Sequence, residues 1–186
     1  MRIGLELKAN PPQLAGRFSV PAGGARTDRP QVDPGGWGAV IRDSSRRNME
    51  LLRWGVSGER LGQDGSRLET EVRIEDLVGR RGPTLLERRL LVPVSAFLVG
   101  AGGVTRRFSL SDGGLLAVAG IWDIDGHWRG RPLRCFRIVT GPGDVMARLP
   151  LVLQPDNERV WLDPFATDAA LLDALEPLDE GGLEIG

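Results

Sequence analysis

Between residues 89 and 154 the chain falls into short apolar runs bounded by turns, and this succession constrains the fold more than any other feature of the sequence. The runs 89-RLLVPVSAFLVG-100, 104-VTRRFSL-110, 115-LLAVAGIWD-123, 133-LRCFRIVT-140 and 150-PLVLQ-154 are mostly enriched in Val, Ile, Leu and Phe, as strands are. So many strands in so short a stretch imply a closed or strongly bent sheet. Upstream, 38-GAVIRD-43 and 47-RNMELLRWGV-56 flank a polar turn at Asp43–Ser45 and read as a hairpin. The 26 glycines and 13 prolines among 186 residues add turns and disfavour long helices.

Helical signals are fewer. Asn10 before 11-PPQLAGRFSV-20 reads as an N-cap with prolines in the first turn and an apolar side at Leu14 and Phe18. The segments 69-ETEVRIEDLV-78 and 83-PTLLERRL-90 carry helical spacing, and 165-FATDAALLDALEPL-178 places Leu171, Leu172 and Leu175 on one side. Residues 21–37 read as a long loop. The expected class is α+β, a single domain over 1–178 with a curved, barrel-like mixed β-sheet and short flanking helices. An acidic, Gly-rich tail is expected over 179–186.

Composition removes whole classes of chemistry. One histidine, His127, and one cysteine, Cys135, cannot build a Cys/His zinc site, an HExxH helix or a haem attachment, so neither metal nor cofactor is expected. Lys8 is the one lysine among 24 basic residues and lies outside any GK[ST] context, and GxGxxG and GxSxG are absent. Basic and acidic residues nearly cancel, at 24 against 25, so a nucleic-acid site has to be local. The arginine pairs at 46–47, 80–81, 88–89 and 106–107, and the run through Arg129, Arg131 and Arg134, read mostly as solvated faces, offset by acids such as Glu87, Asp123 and Asp125. His127 reads as an exposed turn residue and Cys135 as a small buried apolar group. Ser57 and Ser95 have no local histidine, which argues against a triad. With no secretory signal and apolar stretches about half a membrane span long, a soluble cytoplasmic protein without a membrane partner is expected.

Five fragments in order carry more information than any one of them: 53-RWGV-56, 65-GSRLET-70, 88-RRLLVPVSAF-97, 117-AVAGIWD-123 and 145-VMARLPLVL-153. In order and spacing they resemble the SRAP family, the SOS-response-associated peptidases or abasic-site processing proteins, whose motifs run RWGL, NARAET, RRCLVPADGFYEW, AGLWE and HDRMPVIL. The resemblance implies a barrel-like sheet around a groove for single-stranded DNA. It also implies a reaction in which a cysteine next to the initiator methionine captures the ring-opened aldehyde of an abasic site as a thiazolidine, assisted by an asparagine, a glutamate and a histidine.

This chain departs from the pattern at each chemical position. The nucleophile's place holds Arg2, the asparagine's Gly65, the glutamate's Val99 and the histidine's Met146, so no catalytic residue is assigned. The family's NIAP-like loop aligns with 31-QVDP-34, which keeps Pro34 and replaces the asparagine with Gln31. Arg67, Glu69, Arg148 and Pro150 persist. By the resemblance, Arg67 and Arg148 hold DNA phosphates and Trp54 stacks at the groove. Bland readings stand beside these: Trp54 ends an apolar strand and suits a core, and Arg67 can pair with Glu69. Arg148 has no charged residue nearer in sequence than Asp144.

The first expectation is therefore a catalytically degenerate member that binds single-stranded or abasic DNA without a crosslink. A second is a protein-binding module that has reused the scaffold, since Val99 and Met146 make the old site more apolar. A third keeps Schiff-base chemistry at the Met1 amine.

Overall fold

The computed structural model describes residues 2–21, 30–42, 48–58, 67–78, 82–143, 146, 148–175 and 182–186. Five strands close a mixed barrel: β3 (Trp37–Arg42), β4 (Asn48–Trp54), β8 (Arg89–Val94), β11 (Leu116–Trp128) and β12 (Arg131–Gly141). They run in the order β12, β4, β3, β8, β11, and β11 returns to β12. Every pairing is antiparallel except β4 with β12, where Arg53 lies opposite Cys135 and Trp54 opposite Phe136. The expected barrel-like α+β class is what the chain adopts.

Two small pairs extend the barrel. β5 (Val56–Ser57) meets β6 (Leu68–Glu69), and β7 (Glu71–Arg73) runs parallel to the end of β12. β13 (Leu149–Pro150) and β14 (Val152–Leu153) edge β12 and β11. A second sheet takes β1 (Arg2–Glu6), β2 (Gln31–Val32), β9 (Ala96–Ala101), β10 (Val104–Leu110) and β15 (Leu183–Ile185), in the order β15, β10, β9, β1, β2.

Strand alternation sorts the apolar residues onto two faces. Leu90, Val92 and Val118 pack with Phe97, Val99 and Phe108 of the second sheet. Leu91, Ala117 and Ala119 instead meet the helices. These are α1 (Pro11–Phe18), α2 (Ile74–Val78), α3 (Gly82–Leu86), α4 (Pro155–Leu162) and α5 (Asp168–Asp173). α1 starts as expected, with the Asn10 side chain accepting from the Gln13 N–H and the Gln13 side chain accepting from the Asn10 N–H, and it buries Leu14 and Phe18. Arg17 pairs with the buried Glu158 and ties α1 to α4. Arg89 donates to the carbonyls of Leu86, Trp161 and Asp163, satisfying acceptors around α3 and α4.

Several expectations are corrected. The run 89–100 is two strands in different sheets, broken at Ser95, whose N–H donates to the Glu6 carbonyl at 2.7 Å and whose hydroxyl accepts from Lys8 N–H. The segment 69–78 begins as strand and becomes helix only at Ile74, because Glu71, Val72 and Arg73 pair with Ile138, Val139 and Thr140. β11 runs through His127 to Trp128, so His127 lies in a strand rather than in a turn. Within the expected tail, Leu183–Ile185 pairs with Leu110–Phe108.

Candidate functional site

The two places where the resemblance puts a nucleophile and a glutamate lie one row apart across β1 and β9: Arg2 opposite Gly100, and Ile3 opposite Val99. Alternation then separates them. The Arg2 side chain is 81% exposed, 3.8 Å from the Asp33 carboxylate, whereas Val99 is fully buried in the apolar layer. Met146, at the expected histidine's place, is half-buried against the same layer. Met1 and Gly65 lie outside the described residues.

Cys135 offers no replacement thiol. It is fully buried beside the β4–β12 pairing, and burial, reinforced by the Asp125 charge, pushes its pKa up to about 11. Among the described residues no cluster of His, Cys, Asp and Glu could hold a metal ion, and no helix is long and apolar enough to cross a membrane.

Where β7 meets β12, polar groups gather around Arg148. Its guanidinium forms a two-point pair with Glu75, at 3.1 and 2.7 Å, and also donates to the Thr140 carbonyl at 3.0 Å and the Thr140 hydroxyl at 3.4 Å. The hydrogen bond from Arg148 holds the Glu75 carboxyl below its ordinary value. Glu71, alongside, is raised: burial pushes it up, and the Thr140 hydroxyl and the Arg148 charge pull only part of the way back. The arrangement is an anchored cation beside a carboxyl that keeps its proton more readily than usual.

Arg67 and Trp54 fare differently. The Arg67 side chain is 81% exposed, with a loose 3.7 Å approach to Glu69, so its planar fork is open to an anion. Trp54 is fully buried. Its indole N–H donates to the Thr70 carbonyl at 3.1 Å and its ring stacks on Phe136 at 6.2 Å, which corrects the stacking expectation because no ring face is open to a base. Glu71 and Thr140 are brought together by a parallel strand pairing that no local sequence pattern displays, and Glu75 follows in the first turn of α2. Of the expected offsets, Asp123 pairs with Arg88, whereas Asp125 pairs with Arg53, which belongs to none of the arginine clusters.

Comparison with known proteins places this geometry. Residues 4–185 match the family described as SOS response associated peptidase (SRAP). The abasic site processing protein YoqW of Bacillus subtilis is 29% identical over 163 residues, covering 78% of this chain and 71% of that protein. YoaM of the same organism, also described as an abasic site processing protein, is 29% identical over 162 residues, covering 78% and 70%. A crystal structure of a Bordetella bronchiseptica protein superimposes with a TM-score of 0.80 at 19% identity, covering 100% of this chain and 98% of its own. One from Bacteroides thetaiotaomicron gives 0.79 at 17%, covering 98% and 90%.

Proposed function

Given that the chain belongs to the SOS response associated peptidase (SRAP) family, we propose that it serves in the DNA-damage response by holding single-stranded or abasic DNA without a covalent bond. One observation carries the loss of chemistry. At the two positions where the family resemblance puts nucleophile and glutamate, an exposed guanidinium faces Asp33 and a valine is sealed in the core. Neither can form or assist a thiazolidine. What the site keeps is cationic: Arg67 is open to a phosphate, and Arg148 reaches one by exchanging its exposed partner Glu75. The names of YoqW and YoaM supply the substrate class.

The test mixes the full chain with a single-stranded oligonucleotide carrying one abasic site, and with an intact control, on native and denaturing gels with and without borohydride. A native shift that disappears on denaturation is expected, with affinity falling as salt rises. Arg67→Ala should weaken it and lower the salt slope by about one. A band that survives denaturation overturns the non-covalent reading, and one that appears only with borohydride assigns Schiff-base chemistry to an amine. No shift at low salt overturns DNA binding and favours a protein-binding module on this scaffold.

A further inference from the structure

The β11–β12 hairpin runs past the barrel to a two-residue turn, Arg129–Gly130, in which both residues have positive φ, 51° and 75°. Such a turn matches the twist of a hairpin, but it ordinarily takes Asn, Asp or Gly at its first position. Arginine here holds its guanidinium over the Trp128 ring, 4.5 Å from the centroid. Trp128 in turn tilts against Trp37 of β3, with centroids 5.2 Å apart and planes at 54°. Both indoles remain in solvent, 48% and 39% exposed.

Beside them opens a cleft of about 620 Å³, lined by the two tryptophans, Leu51, Glu50 and the arginines 129, 131 and 134. Glu50 is already engaged by Arg42 and Arg134. Among the described residues no carboxylate pairs with Arg129 or Arg131. In a chain whose charges nearly cancel, two guanidinium groups without a carboxylate partner beside two half-exposed indoles form a local exception.

From this we infer that the hairpin cleft is a docking site for single-stranded nucleic acid, separate from the surface around Arg67 and Arg148. Each component of a strand has a counterpart there. Bases have flat faces for Trp37 and Trp128, and phosphates have planar forks at Arg129 and Arg131. An acidic peptide would pair with the arginines but leave the indoles without a partner of matching shape. The cleft does not depend on the non-covalent DNA reading given above, since none of its residues belongs to that region.

The test titrates the full chain with a labelled oligothymidylate, following anisotropy for affinity and tryptophan emission for location. Trp54 and Trp161 are fully buried and Trp122 is partly buried beneath Arg42 and Arg88, so the quenching that is lost with Trp37 and Trp128 reports on the exposed indoles. Wild type should show quenching. Arg129→Gln with Arg131→Gln should weaken binding about tenfold, and Trp37→Leu with Trp128→Leu should weaken it and abolish the quenching. Arg67→Ala should lower total affinity yet leave the quenching in place, which separates the two sites. Absence of quenching in wild type, or affinity of the arginine double variant within about twofold of wild type, overturns the inference. Displacement of the oligonucleotide by an equal concentration of oligoglutamate overturns it too, and assigns the arginines to an acidic protein segment.

Discussion

Arg148 and Glu75, 73 positions apart in the sequence, meet in a two-point ion pair whose shorter contact is 2.7 Å. The same guanidinium closes on the Thr140 carbonyl, so it fastens α2 and the end of β12 together as well as presenting charge. Arg148→Ala is therefore expected to cost about 1–3 kcal/mol in urea unfolding, because a carbonyl and a carboxylate both lose a charged donor. Arg148→Lys keeps the charge without the fork and should recover part of that loss. Glu75 is held low by this contact, so its contribution is present above the ordinary carboxylate range and is lost as pH falls through its lowered value. An Arg148→Ala protein as stable as wild type would leave Arg148 with no fastening role.

Glu71 has the opposite sign. Burial raises its carboxyl, so the folded chain binds that proton more tightly than the unfolded chain does. Its contribution favours folding in acid and is lost as pH rises through the raised value. Glu71→Gln should therefore raise the urea midpoint at neutral pH and leave it unchanged in acid. A fall at neutral pH would mean that Arg148 holds the ionised form more firmly than burial penalises it.

The sequence displayed what depends on near neighbours. The Asn10 cap, the strand Val104–Leu110 and the β3–β4 hairpin all follow from periodicity and turn chemistry read over a few residues. It hid what distant pairing decides. Nothing in 89–100 marks Ser95 as a break, since the break is a hydrogen bond to Glu6. Glu71 looked helical because only its pairing with Ile138 makes it strand. α4 went unseen because its apolar residues cluster at Val160–Leu162, although Pro155 at its start and acids in its first turn were signals. At the candidate site the residue types at Arg2 and Val99 were plain, but that one is bathed in solvent and the other sealed needed the β1–β9 register.

Trp54 is a core residue with a polar handle. Trp54→Phe keeps a ring beside Phe136 but removes one of two donors to the Thr70 carbonyl, which still accepts from Ile138 N–H, and should cost about 1 kcal/mol. Oligonucleotide affinity should be unchanged in that variant. A drop in affinity with stability intact would show that the indole becomes exposed on binding.

Gly120 sits in β11 between β8 and β12. A Cβ there would lie 2.5 Å from Leu90 Cδ1 and 3.1 Å from the Arg137 carbonyl oxygen, and the second contact is backbone that cannot rotate away. Gly120→Ala should cost about 1–3 kcal/mol by overpacking, read as a lower melting temperature. An unchanged melting temperature would mean that the two strands can spread at this point.

The barrel closes through one parallel contact, Arg53 with Cys135 and Trp54 with Phe136, whose partners are remote in sequence. Loop-closure entropy makes such a contact late and slow to form, after the hairpin β3–β4 and the ribbon β11–β12 have each assembled from nearby residues. Because the Trp54–Phe136 stack exists only once these two pieces have docked, the buried indole acts as an optical clock for the moment at which the chain shuts on itself.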